Sequence, residues 1–152
     1  MIHTLESSQV IRASVEAAWD FFSDPRNLAK ITPPELDFTI VSTLRERIHA
    51  GMMIEYRVRP LLGIPVRWLT EITSVDPGRS FVDEQRIGPY RIWHHEHHFK
   101  PLDAARTEVT DKVTYVLPFD PLGDLFHGLL VEPQLKTIFS FRERVVNELF
   151  AK

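Results

Sequence analysis

The spacing of apolar residues divides this chain into two regimes. From Pro121 to Phe150 they recur every three or four positions: Leu122, Leu125, Phe126, Leu129 and Leu130, then Leu135, Ile138, Phe139, Val145, Val146 and Leu149. That is one face of a helix. Asp124, Glu132, Gln134, Lys136, Arg142, Glu143 and Arg144 fall between them, on the polar side. Asp120 or Pro121 stands where such a helix starts. At ~1.5 Å per residue it would run roughly 40 Å, so it must lie along something extended. Pro133 falls inside it, where the missing N–H and the ring predict a kink from Val131 to Pro133. The apolar stripe changes phase at the same place. Two helices broken at Pro133 are the alternative.

The rest of the chain reads mostly with a period of two. His3 to Ile11 predicts a strand. Ser14 is a good cap for a helix carrying Val15, Ala18, Trp19 and Phe22. Asp24-Pro25 restarts the chain as a second short helix through Leu28 to Ile31, and Pro33-Pro34 stops it. Alternation then predicts strands over Leu36–Val41, Met52–Arg59, Val66–Thr73, Arg79–Ile87, Tyr90–Lys100 and Thr107–Leu117. The turns between them are His49-Ala50-Gly51, Leu62-Gly63, Asp76-Pro77-Gly78, Gly88-Pro89 and Pro101 to Ala105. This pattern predicts an antiparallel meander of roughly seven strands with one face to cover. The long helix is the element large enough to cover it. The expected fold is α+β: a curved antiparallel sheet wrapped on a long C-terminal helix. Two short helices after the first strand close one end, and a cavity lies between sheet and helix.

Length and composition narrow the function classes. The 152 residues show no linker or internal repeat, so residues 1–152 are expected to form a single domain. A net charge of −3 gives no broad attraction to nucleic acid or to an anionic membrane. The absence of cysteine excludes disulfides, thiolate zinc sites and cysteine nucleophiles. Apolar runs are too short to span a bilayer, and Met1 to Glu6 lacks the pattern of a signal peptide. The expectation is a cytoplasmic protein with no nucleic-acid partner and no membrane insertion; a homodimer is left open.

Candidate chemistry gathers on the last three predicted strands. Alternation puts Trp93, His95, His97 and Phe99 on one face, and His94, Glu96 and His98 on the other. The two large apolar residues place the first set toward the helix. Asp111 and Tyr115 match it on the next strand, and Phe81, Asp83 and Gln85 on the one before, where the Gly88-Pro89 turn leaves the pairing open to a shift. The expected pocket is lined by Tyr56, Trp68, Phe81, Asp83, Gln85, Trp93, His95, His97, Asp111, Tyr115, Phe126 and Leu130. An apolar cavity with a few convergent polar groups suits a small ligand. The same carboxylates and imidazoles could instead satisfy one another, or perform acid–base work.

The run His94-His95-Glu96-His97-His98 lacks the helical spacing of a zinc protease. His95 and His97 could share a metal with Asp111, but nothing in the sequence supplies an outer shell. No metal and no cofactor are expected. The Arg57, Arg59 and Arg67 group, beside Glu55 and Glu71, reads as a mixed-charge solvated face. There is no phosphate loop and no nucleophile elbow.

The order of elements resembles the START-related, helix-grip superfamily, which includes the birch pollen allergen, lipid-transfer domains and polyketide cyclase/dehydrase-like proteins. A bacterial branch is resembled most, through Val15 to Leu28, Ile31-Thr32-Pro33-Pro34, Asp83-Glu84-Gln85, Gly88-Pro89-Tyr90, alternating Trp93, His95, His97 and Phe99, Thr107, Asp111, Val113 and Tyr115, and Ile138 to Arg142. The resemblance spans essentially the whole chain. It implies the helix-grip fold, and a protein that binds a lipid, hormone or polyketide, cyclises a polyketide, or assists another protein. It carries no shared catalytic motif, and fold alone does not fix function.

The leading expectation is binding of a small, mostly hydrophobic molecule, entering near the Pro118 to Leu122 loop. The alternatives are a cyclase, dehydrase or hydrolase using His95, His97, Asp83 or Asp111, and a regulatory interaction module without a ligand. Exposed apolar residues at Met53, Leu69 or Val116 would favour the last.

Overall fold

A computed structural model of the chain describes residues 1–44, 47–60, 63–119 and 121–152. Strand β1 (His3–Ile11) leads into helix α1 (Val15–Phe22). Ser14 caps α1, its Oγ accepting from the N–H of Ala17 at 3.2 Å. Asp24 caps the second short helix, Pro25–Ile31, accepting from the N–H of Arg26 at 3.1 Å. This helix winds as a tighter 3-10 helix, a form common in short connectors.

Six strands follow: β2 (Thr39–Ile40), β3 (Met53–Val58), β4 (Val66–Asp76), β5 (Ser80–Ile87), β6 (Ile92–Asp103) and β7 (Arg106–Val116). They form one antiparallel sheet in the order β1-β7-β6-β5-β4-β3-β2, a meander with β1 returned to its far edge. The strand expected over Leu36–Val41 shrinks to two residues. Pro34–Leu36 turn as a 3-10 helix, and Asp37 ends it at φ 46, its N–H bonded to the Pro34 carbonyl. The chain becomes extended again only in time to pair Thr39 with Arg57 and Ile40 with Tyr56.

The C-terminal helix runs for 28 residues as α2 (Leu122–Phe126), a π turn (His127–Val131) and α3 (Glu132–Leu149). The helix is thus continuous rather than broken, and its irregularity falls where Pro133 predicts one. Proline crowds the carbonyl four residues back, and the wider π turn, with the Glu132 N–H bonded to His127 O, relieves that crowding. Pro121 occupies the cap position; Asp120 and Leu62 lie outside the described residues.

From the last residue of the π turn onward, Val131, Leu135, Phe139 and Val146 are buried. Ahead of Val131 the expected stripe is not: Leu129 is 70% exposed, and Leu122, Leu125, Phe126 and Leu130 also face outward. The helix therefore packs on the sheet from Val131 onward. Val113, Tyr115, Leu135 and Phe139 form the core in mid-sheet. Ile11, Ala18, Phe99 and Val146 form it where α1 meets the end of α3. Among the described residues no helix is long and apolar enough to cross a membrane. Of the outward positions expected to signal an interface, Met53 is exposed, Leu69 is half-buried, and Val116 is buried.

Candidate functional site

The register of β5, β6 and β7 assembles the chemistry. Asp83 stands opposite His95, Phe81 opposite His97, and His97 opposite Asp111. The alternation holds as read from the sequence. Side-chain exposure is 7% at His95 and 12% at His97, against 36% at His94 and 51% at His98. Val109, Asp111, Val113 and Tyr115 are buried with the inward set.

The two inward imidazoles lie against each other, centroids 3.8 Å apart, between two carboxylates. Asp111 Oδ1 is 2.9 Å from His95 Nε2 and 3.1 Å from His97 Nδ1. Asp83 Oδ2 is 2.6 Å from His97 Nε2 and 3.7 Å from His95 Nδ1. Arg142 reaches in from α3, with a guanidinium nitrogen 3.7 Å from Asp111 Oδ1, and packs over the Phe139 ring at 4.9 Å. Its Nε is buried and has no hydrogen-bond partner among the described residues.

The electrostatics follow from this arrangement. Burial alone would raise the Asp111 carboxyl, but hydrogen bonds from His95 and His97 and the Arg142 charge hold it well below the usual range. Asp83 is lowered too, the His95 and His97 charges outweighing its burial. Burial would lower His97, yet its contacts with Asp111 and Asp83 raise it. His95 is lowered by burial and by its neighbour His97. Two carboxylates and the Arg142 guanidinium thus surround two imidazoles that are shifted in opposite directions, His97 up and His95 down.

This cluster forms the polar floor of a cavity of about 160 Å³ between sheet and α3. Tyr56, Trp68, Asp83, Trp93, His95 and His97 line it as expected. Trp68, Trp93 and Tyr90 meet edge-on or tilted in its wall. A smaller compartment of about 60 Å³ continues toward the short helices, contains Phe81, and shares Leu28, Tyr56, Asp83, His97 and Arg142 with the first.

The other expected residues lie elsewhere. Asp111 sits behind the histidines, outside the lining. Gln85 spends its carboxamide on the backbone of Tyr90. Tyr115 contacts a surface groove, its hydroxyl 2.6 Å from His127 Nε2. Phe126 lines a groove at the mouth, where Pro60, Tyr90 and Gln134 join it to the main cavity. Leu130, 51% exposed, faces away because the π turn separates its stripe from that of α3.

Sequence reasoning missed Arg142, Tyr90, Phe38 and Ile138 as lining. Arg142 carried a signal: it lies three residues after Phe139 and four after Ile138, on the buried stripe, and only its charge assigned it to the outer face.

A family profile described as a domain of unknown function, DUF8410, matches residues 9–150. The chain belongs to the DUF8410 family. Among curated proteins none matches it. Solved structures do. The Zhui aromatase/cyclase from Streptomyces sp. R1128 superposes with a TM-score of 0.73 at 18% identity, covering 99% of this chain and 94% of that one. A START superfamily protein from Mycobacterium smegmatis gives 0.70 at 15% identity, over 97% and 99%. Norcoclaurine synthase from Thalictrum flavum, in complex with dopamine and hydroxybenzaldehyde, gives 0.68 at 12% identity, over 98% and 86%. At such identities the likeness establishes the fold. This DUF8410 chain has the helix-grip fold of the START-related superfamily.

Proposed function

We propose that this DUF8410 protein binds a small, mostly hydrophobic molecule, aromatic in part, that carries one acidic or strongly accepting oxygen. The observation that carries this reading is Arg142: a guanidinium set in an aromatic-walled cavity with a buried, unpartnered Nε–H. Donors of this kind are costly to leave unmatched, and a guanidinium fork fits a carboxylate or enolate. The cavity volume of about 160 Å³ is of the size that holds one aromatic ring, by comparison with dry cavities of about 150 Å³ that take up benzene, and the groove of about 190 Å³ that joins it at Pro60, Tyr90 and Gln134 leaves room for a second fused ring. Trp68, Tyr90 and Trp93 offer faces and edges to such a ring. The aromatase/cyclase and the norcoclaurine synthase complex support the same class of occupant.

The test is a thermal-shift comparison of 2-naphthoate, benzoate and their neutral amides. A binder at a hundredfold excess over its dissociation constant stabilises the native state by about 2.7 kcal/mol. The acids are expected to shift the melting temperature more than the amides. If neither series shifts it, the binding reading fails.

A second reading, an enzyme of the cyclase or dehydrase type, is favoured by the His95–Asp111 contact of 2.9 Å at the cavity floor. A neutral imidazole oriented by a buried carboxylate is a competent base. In that case His95→Ala abolishes turnover while leaving affinity within about tenfold.

A further inference from the structure

We infer that Asp83, His95 and His97 form a site for a divalent first-row transition metal at the floor of the cavity, oriented from behind by Asp111. Each of the three offers one ligand atom, and the three atoms lie within 4.8 Å of one another. Which atoms they are follows from the side that Asp111 occupies. It holds Nε2 of His95 and Nδ1 of His97, at 2.9 and 3.1 Å, so the opposite nitrogens are left to ligate. These are His95 Nδ1 and His97 Nε2, at 3.7 and 2.6 Å from the same oxygen, Asp83 Oδ2. Bonds of ~2.0–2.2 Å to nitrogen and oxygen ligands put neighbouring ligand atoms roughly 3 Å apart. The two observed separations lie on either side of that spacing, and small side-chain rotations bring them to it. The hydrogen now shared between Asp83 Oδ2 and His97 Nε2 leaves as a proton when the ion takes its place.

The outer shell argues for a built site rather than a chance meeting of ligands. Metal-bound imidazoles characteristically direct their second nitrogen to a carboxylate, which fixes ring orientation and tautomer. Here one carboxylate, Asp111, serves both rings, because the antiparallel register sets it directly opposite His97 and one step from His95. Strand alternation alone does not reveal this, and on sequence grounds no metal was expected. The charges are also compatible. A divalent ion, Arg142 and the two carboxylates sum to one residual positive charge, which an anionic ligand in the cavity would complete. Two imidazoles and a carboxylate suit Zn²⁺, Fe²⁺ or Co²⁺ better than Mg²⁺ or Ca²⁺. With three protein ligands the ion keeps open positions. All three ligands line the cavity, so those positions are within reach of its contents.

The outward cluster is a natural control. His94, Glu84, Glu96 and His98 also approach one another, at 2.9 to 3.8 Å, but on a solvated face shared with Arg86 and Lys112. Glu96 approaches both of its histidines, but among the described residues a second carboxylate, Glu84, reaches only the other nitrogen of His94.

The test titrates chelator-treated wild-type protein with Zn²⁺ and Co²⁺, by calorimetry and by the Co²⁺ absorption spectrum. One equivalent is expected to bind. Asp111→Asn should weaken it by about 10- to 100-fold. His97→Gln should abolish it, and the His94→Gln, His98→Gln double variant should leave it unchanged. Since His97→Gln could fail to fold, ligation is also read in the unmodified protein. In long-range proton–nitrogen spectra, Zn²⁺ should move Nδ1 of His95 and Nε2 of His97. A response confined to His94 and His98, or no stoichiometric binding, overturns the site. Binding of 2-naphthoate and its amide to the chelated protein is measured alongside, so failure of the metal site and failure of the cavity reading are told apart.

Discussion

Gln85 clamps Tyr90 by two hydrogen bonds across the β5–β6 turn. Its Nε2 donates to the Tyr90 carbonyl at 2.5 Å, and its Oε1 accepts the Tyr90 N–H at 3.1 Å. The clamp sets the loop that carries Tyr90 into the cavity wall. It also explains Gly88, where a Cβ would fall 2.3 Å from Gln85 Oε1. Gln85→Ala is expected to cost about 1–3 kcal/mol, the range for leaving half-buried polar groups unmatched. Gly88→Ala should cost a similar amount by expelling the same carboxamide. Chemical denaturation of both variants and their double checks this. Because they break one clamp, the double variant should lose much less than the sum; full additivity would refute the shared cause.

The position of the π turn separates two substitutions on the same helix. Leu130 faces outward, whereas Ile138 lines the cavity one face round and two turns on. Leu130→Trp should therefore leave probe affinity within about twofold. Ile138→Trp fills a space of about 160 Å³ and should reduce affinity by more than tenfold, provided that circular dichroism shows it folded. Displacement of a fluorescent probe measures both. Equal effects would mean that the ligand lies at the mouth, against α2, instead of at the floor.

The pattern of strands, the two capped short helices and the inward face of β6 were legible because each rests on local periodicity or capping. The twist of register that makes Asp111 serve two histidines was not, since it depends on pairing between strands. Arg142 was hidden by a rule of thumb: charged residues are usually exposed, and this one is a buried exception, its side chain 11% exposed. Leu122 to Leu130 misled in the opposite direction. Their spacing is as helical as that of α3, yet helical spacing does not say what covers the face. Gln85 was expected to line the pocket, but its partner lay in a turn, where side chain to backbone bonds are not encoded by alternation.

His127 should respond to acid in the surface groove that it lines with His3 and Tyr115. Its ring stacks on His3, centroids 3.6 Å apart and 10° from parallel, beside the Tyr115 hydroxyl. Burial, and then the like charge of His3, hold its pKa below the ordinary value of 6.5. As pH falls, the unfolded chain takes up this proton first. The stability that His127 contributes is thus complete above 6.5 and declines as pH falls toward the depressed value. Imidazole chemical shifts should give a titration midpoint below that of a free histidine, and His3→Gln should move it upward. The melting temperature of His127→Gln should fall less than that of the wild type between about pH 7 and about pH 5. A midpoint at or above the ordinary value would contradict the stacking argument.

Arg142 offers the sharpest test of what occupies the cavity. Arg142→Met keeps an unbranched apolar stem over Phe139 and removes the guanidinium. Asp111 remains held by His95 and His97, at 2.9 and 3.1 Å, so the floor is not stripped of partners. If the guanidinium receives an acidic oxygen, affinity for 2-naphthoate should fall by at least tenfold, or about 1.4 kcal/mol. Affinity for the neutral amide should change by less than about threefold. Arg142→Lys should restore only part of the loss, because an ammonium supplies the charge without the planar pair of donors. Calorimetry well below the melting temperature of each variant separates these effects from a general loss of stability. If acid and amide weaken together, Arg142 shapes the wall and does not read charge, and the occupant of the cavity is a neutral molecule.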